Sequence, residues 1–256
     1  MKRIKDLKIG LITGSTIVIQ NGLISSESSQ NFINLFNEAG QVIETRTANI
    51  DNGNAIIYKF KYGKCDEHDR WEWLNWRKSD GKIDTVQIQL MTFDKNCRTK
   101  TVVWLDSTGI QTDTRVFEYD NNGKKTSEID LNIKNEKTAF ILYSYADNYT
   151  IDKKAFFGDS TFWYHNREYF DKKGNQIGYD SFDENGNKTN EGEKVNFIYK
   201  DDRPIEETHY ESNGQIRSKT NYLYNAEGLV ERTITKSRSG DDETEIISIL
   251  KYIKRY

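Results

Sequence analysis

Large apolar residues and polar residues alternate with period two along most of the chain. Val86, Ile88 and Leu90 share one face, Ile129, Leu131 and Ile133 a second, and Val195, Phe197 and Tyr199 a third. Successive side chains of a strand point to opposite faces, so this is the pattern of half-buried β-strands. The face made by Ile216, Ser218, Thr220, Tyr222 and Tyr224 is mixed. Helical spacing is scarce. SSQNFINLFNEAG has room for one short helical turn, and EIISILKYIKRY reads as a closing strand. Pro204, the single proline, sits in DDRPIEE and suits a loop or the start of an edge strand.

Between the strand-like runs one short unit recurs: a large apolar residue, Asp or a relative, two mostly polar residues, then Gly. It reads FNEAG from 36, LDSTG from 105, YDNNG from 119, FDKKG from 170, FDENG from 182, YESNG from 210 and YNAEG from 224. FDKNC from 93 is the same unit with Cys97 in the glycine place. Asp or Asn at the first turn position accepts backbone N–H groups further on, and Gly at the fourth adopts the left-handed conformation. Gly40, Gly109, Gly123, Gly174, Gly186, Gly214 and Gly228 are therefore expected as hairpin-turn residues. Neighbouring units 12 or 14 residues apart leave room for one strand each. The expected fold is all-β: a meandering, stacked, open sheet of antiparallel β-hairpin repeats, with few or no helices.

YDNNGKKTSEIDL, FDKKGNQIGYDSFDENGNKT and YNAEGLVERTITK resemble the YD-repeat, or Rhs-like, β-hairpin proteins of bacteria. YKFKYGKCDEHDRWEWL is similar to a variant of that unit, with Asp69 where the variant has Gly. MORN-like repeats are a near alternative. The resemblance spans most of residues 36–236. It implies a stacked hairpin sheet on an exported or surface protein, sometimes around a toxin, and it implies no catalytic residues.

The first eight residues, MKRIKDLK, are basic. An uncharged stretch runs from Ile9 to Ile19, and Ser25, Ser26, Ser28 and Ser29 follow. Basic, apolar, then small is the order of a secretory signal, with cleavage expected between about Ser26 and Gln30. Residues 1–28 are thus expected as a signal peptide and 29–256 as a single hairpin-repeat domain. NIKNEKT (132–138) is a candidate seam, and SRSGDDETE (237–245) reads as a long hairpin loop. The implied location is periplasmic, cell-surface or secreted. No segment is apolar enough over the required length to be a membrane-spanning helix.

The chain has 256 residues, only 35% of them hydrophobic and 30% charged, which favours a thin, wetted sheet over a thick interior. A net charge of -3 gives no electrostatic basis for nucleic-acid binding. In an oxidising compartment Cys65 and Cys97 are candidates for one disulfide.

Chemistry is sparsely written. The acidic pairs Asp66–Glu67, Asp183–Glu184, Asp201–Asp202, Glu206–Glu207 and Asp241–Asp242 lie mostly in expected turns, or would point to opposite strand faces. The mixture in CDEHDRWEW has metal-ligand residue types, but His68, His165 and His209 show no ligand spacing. No catalytic residue, metal site or cofactor is assigned. Aromatic rows can stack on sugar rings as well as fill a core. Trp71, Trp73, Trp76 and Tyr164 are accordingly the candidate ligand-binding residues, with Trp71 and Trp73 on one strand face. The functional expectation is an exported, non-catalytic binding or structural module that takes a glycan or a protein partner. The alternatives are a carbohydrate-active hydrolase whose carboxylates converge in the fold, and a toxin-associated immunity or accessory protein.

Overall fold

The computed structural model describes residues 4, 6, 8–48, 54–65, 67–77, 79–239 and 242–254. The first strands are β1 (Ile9–Gln20), β2 (Leu23–Phe36), β3 (Val42–Ala48), β4 (Ala55–Tyr62), β5 (His68–Trp76) and β6 (Ile83–Phe93). There follow β7 (Thr99–Asp106), β8 (Gln111–Tyr119), β9 (Lys125–Asn132), β10 (Lys137–Tyr145), β11 (Thr150–Phe157) and β12 (Phe162–Phe170). The last are β13 (Gln176–Phe182), β14 (Lys188–Lys200), β15 (Arg203–Glu211), β16 (Ile216–Tyr224), β17 (Val230–Ser239) and β18 (Asp242–Lys254).

Each strand pairs with its neighbours in sequence, and β1 pairs with both β2 and β18. The pairing order of the eighteen strands therefore closes on itself, which corrects the expected open, stacked repeat sheet. A hairpin stack ends in two edge strands with unpaired backbone groups, and closure removes both edges. The YD-repeat and MORN-like resemblance is corrected with it. Its turn unit serves a closed meander as well as an open one, so the unit does not identify the architecture.

Closure runs through the segment expected as the apolar part of a leader. Ile17 of β1 lies opposite Ile247 of β18 on one side and Glu27 of β2 on the other. Asn21 and Gly22 make a two-residue turn with φ of 48° and 81°, a strong hairpin signal in the sequence. The Asn21 side chain donates to Asp242 and accepts from the Glu243 N–H. SSQNFINLF, given room for a helical turn above, belongs to β2.

At Gly186 the repeated turn has its full form. The Gly186 N–H donates to the Asp183 carbonyl, and the Asp183 N–H donates to the Asn187 carbonyl. Asp183 Oδ1 accepts from the Asn187 N–H at 2.8 Å. The seven turn glycines have φ between 71° and 84°, and Cys97 stands in the same place at 58°. Two further turns of this type lack glycine: Asn135 has φ 61° and Ser160 has φ 71°. The stretch 132–138 is thus the turn between β9 and β10. At the other expected loop, β17 and β18 stay paired to Ser239 and Asp242, while residues 240–241 lie outside the described residues.

The chain divides into two compact units, one of residues 1–90, 105–110 and 220–256, the other of 91–104 and 111–219. The first buries Ile9, Phe36, Ile57, Leu74 and Leu229. The second buries Val102, Ala139, Ala155 and Val195 beside the polar Glu128, Asp152, His165, Ser181 and Thr208. Such a thin core follows from the low apolar content. Glu128 is held ionised there: burial raises its pKa, but Lys125 at 2.6 Å and the Tyr143 hydroxyl at 2.6 Å outweigh burial and lower it.

Candidate functional site

The second unit holds a polar cleft of about 1020 Å³ where β14 overruns its neighbours. Its thirteen residues face seven in β13 and nine in β15. Against β13 the register jumps. Asp180 lies opposite Gly192 and Phe182 opposite Lys188, so Thr189, Asn190 and Glu191 bulge against the single residue Ser181. The Thr189 hydroxyl donates to the Ser181 carbonyl and accepts the Glu191 N–H, which fixes the bulge. Against β15, pairing begins only at Glu193 and Glu211. Beyond that point β15 enters the turn closed by the Glu211 N–H to the Gln215 carbonyl.

Two glycines allow the strands this approach. A side chain on Gly178, which has φ 152°, would put its Cβ 2.4 Å from the Glu193 carbonyl oxygen. On Gly192 it would lie 2.9 Å from the Tyr179 carbonyl oxygen. Gly192 falls outside the repeated turn unit, in a polar run from Asn187 to Lys194 that interrupts the alternation. That interruption is the sequence signal for the cleft.

The lining brings together Tyr179, Asp180, Lys188, Glu193, Lys194 and Tyr210, with amides from Asn190 and Asn213. Asp180 pairs with Lys188 at 2.7 Å and accepts the Tyr169 hydroxyl at 2.8 Å. Burial raises its pKa, and those two partners more than reverse this, so the net direction is down. Glu193 sits between Arg217 at 2.6 Å and His209 at 2.7 Å, and His209 also meets Glu207 at 2.6 Å. Burial lowers the His209 pKa, but the two carboxylates overcome burial and raise it. Of the lining carboxylates, Asp180 and Glu193 are therefore each held by basic partners.

None of the aromatic residues singled out in the sequence lines this cleft. Trp71 and Trp73 share a face of β5 with Tyr58 and Phe60 of β4 across from them. Trp71 stacks on Tyr58 with ring centroids 5.4 Å apart. All four rings are half-buried. Trp76 pairs with Ala55 and falls on the opposite face, as its odd spacing from Trp73 requires. Tyr164 belongs to the other unit, half-buried and edge-on to Trp163. The more open aromatics there are Trp163, 51% exposed, and Phe157, 45% exposed, stacked at 5.3 Å.

Of the other candidate groups, His68 sits edge-on to Phe60 and Tyr62, and burial lowers its pKa. Asp66, Gly240 and Asp241 lie outside the described residues. Neither Cys65 nor Cys97 is a free thiol. No group of three or more potential metal ligands occurs among the described residues.

No family model and no curated protein matches the chain. Among solved structures it is similar to a porin-like protein from Bacteroides uniformis, at 9% identity and a TM-score of 0.46. That match covers 96% of this chain and 98% of the other. A putative outer membrane lipoprotein-sorting protein domain from Vibrio parahaemolyticus matches at 8% identity and a TM-score of 0.30, covering 98% and 90%. A LolA superfamily protein from Nitrosomonas europaea matches at 9% identity and a TM-score of 0.25, covering 100% and 92%.

Proposed function

We propose that the protein is an exported, non-catalytic binding module, and that the cleft beside β14 takes a polar ligand, either a glycan or a segment of a partner protein. The break in regular strand pairing between Ser181 and residues 189–191 carries the reading, because a polar cleft opens beside it. Tyr179 and Tyr210 offer ring faces, and Asn190, Asn213 and Lys194 offer orienting polar groups. Export is supported by the basic, apolar, small-residue order of the amino terminus and by the absence of a free thiol at Cys65 and Cys97.

A hydrolase reading is less well supported. A glycosidase needs one carboxyl with a raised pKa to serve as general acid. Among the described residues, the carboxyls with a displaced pKa, including Asp180 at the cleft, Glu128, Asp171 and Asp183, are displaced downward.

Glycan and peptide arrays probed with the parent and with Tyr210→Ala test the proposal. Ligands held by the parent should weaken by about tenfold or more in the variant, with folding unchanged. An absence of ligands in both arrays would remove it, as would ligands indifferent to changes at Tyr210, Asn190 and Lys194.

A further inference from the structure

We infer that the face of the first unit carrying Trp71 and Trp73 binds a neutral oligosaccharide. The site lies on β2 to β6 and is independent of the cleft beside β14, which belongs to the other unit.

Pairing register builds it. Asn34 of β2 lies opposite Thr45 of β3, Thr45 opposite Tyr58 of β4, Tyr58 opposite Trp73 of β5, and Trp73 opposite Gln87 of β6. At the ordinary strand spacing this row is about 19 Å long. A second, shorter row beside it holds Phe60, Trp71 and Gln89. Residues directly paired, or two apart on one strand, share a face, so both rows point the same way. Neither row contains a charged side chain. The opposite face of the same strands gathers the charge, with Glu44, Lys59 and Glu72 in one row and Lys61 beside Arg70 in the next.

The polar groups of the two uncharged rows are short of partners. The Trp73 indole N–H is buried with no acceptor. Among the described residues, the Tyr58 hydroxyl and the side-chain amides of Gln87 and Gln89 make no hydrogen bond, and all three residues are half-buried. Asn34 spends its side-chain carbonyl on the Thr45 hydroxyl at 2.7 Å and keeps its amide N–H groups unused.

Aromatic rings interleaved with unused donors and acceptors select the ligand chemistry. A pyranose ring has apolar C–H faces that stack on an aromatic ring, and a rim of hydroxyls that both donate and accept. Trp71 and Tyr58, nearly parallel with ring centroids 5.4 Å apart, offer the stacking surface. Gln87, Gln89, Asn34 and the Tyr58 hydroxyl meet the rim, and the Trp73 N–H gains an acceptor once its half-buried ring tilts toward the ligand. A charged ligand finds no counter-charge in either row. A lipid chain would leave every one of these polar groups unpaired. The length of the longer row suits several sugar units rather than one.

The probes are neutral hexasaccharides of glucose, xylose, mannose and N-acetylglucosamine, with hexagalacturonate as the charged counterpart, titrated calorimetrically into the full chain. At least one neutral probe should bind, about tenfold or more tightly than hexagalacturonate. Gln87→Ala combined with Gln89→Ala should weaken it by about tenfold or more and leave the unfolding temperature unchanged, because these amides hold nothing in the free protein. Trp71→Ala should abolish binding, and the glutamine variant keeps the test decisive if Trp71→Ala fails to fold. Tyr210→Ala should leave binding as it is. No binding of any neutral probe at about 1 mM overturns the inference, as does preference for hexagalacturonate or indifference to Gln87 and Gln89. A sugar lost in Tyr210→Ala but kept in the glutamine variant belongs to the cleft, so the cleft reading stands while this inference falls.

Discussion

The Tyr119 hydroxyl donates a 2.8 Å hydrogen bond to the Thr99 carbonyl, tying the end of β8 to the start of β7. The same clasp joins Tyr62 to Val42, Tyr145 to Lys125 and Tyr252 to Val230. In each case the carbonyl belongs to the second residue after a left-handed turn position: Gly40, Cys97, Gly123 or Gly228. The tyrosine locks the chain as it leaves one turn, and in YDNNG it is also the residue that leads into the next. Tyr119→Phe keeps the ring and removes the bond, so it should destabilise by about 0.5–1.5 kcal/mol in denaturant unfolding. Tyr149→Phe, at an exposed ring, should stay within about 0.5 kcal/mol of the parent. Equal effects at the two sites would show that the clasp contributes nothing.

The turn at Gly186 separates backbone strain from crowding. Its φ is 82°, and a Cβ added there would meet nothing within 4 Å. Gly186→Val should cost about 1–3 kcal/mol and Gly186→Asn clearly less, because Asn visits the left-handed region more readily. At Gly178 crowding adds to strain, so even Gly178→Ala should be costly there. Chemical denaturation of the three variants decides this, and matching small losses for Val and Asn at Gly186 would refute the strain argument.

Asp171 gives a pH signature. Its carboxylate accepts the Lys173 and Asn175 N–H groups, the Asn175 amide and the Tyr199 hydroxyl. Burial raises its pKa, but these bonds prevail and hold it at about 2. The unfolded value is about 3.9, so the folded pKa is the lower of the two. The contribution to stability is therefore complete above about pH 4 and is lost as pH falls through about 2. The stability gap between parent and Asp171→Asn should shrink as pH falls from about 5 to about 2. Parallel pH curves for the two proteins would contradict the assignment.

The cysteines make a covalent prediction. Digestion of the unreduced protein should yield one cross-linked peptide containing Cys65 and Cys97, and thiol titration of denatured protein should find none free. Two titratable thiols in protein recovered from an oxidising compartment would be incompatible with it.

β1 tests closure. Deleting residues 1–22 leaves β2 and β18 without the strand that pairs with both. The truncated chain should melt at lower temperature and self-associate, since exposed edges template further pairing. A truncated protein as stable and monodisperse as the parent would mean that the closing strand is dispensable. The same experiment shows what a leader cleavage near Ser26 would do to the sheet.

The strands and turns were legible because they are local. Asp120 reaches the N–H groups of Asn122 and Lys124, and Gly123 needs positive φ, whatever the rest of the chain does. Trp71 and Trp73 share a face by spacing alone. Asn21-Gly22 was equally local, a hairpin signal standing inside a segment that also reads as an export leader. Closure and the cleft were decided elsewhere. Ile17 meets Ile247 across more than two hundred residues, and no period-two pattern specifies which distant strand a strand will pair with. The bulge at residues 189–191 depends on Ser181 of the neighbouring strand, and the cleft beside it depends on where β15 turns away at Glu211. Alternation records which face a side chain takes. Register between strands is a non-local choice, fixed only when the packing of both faces and the backbone pairing are satisfied together.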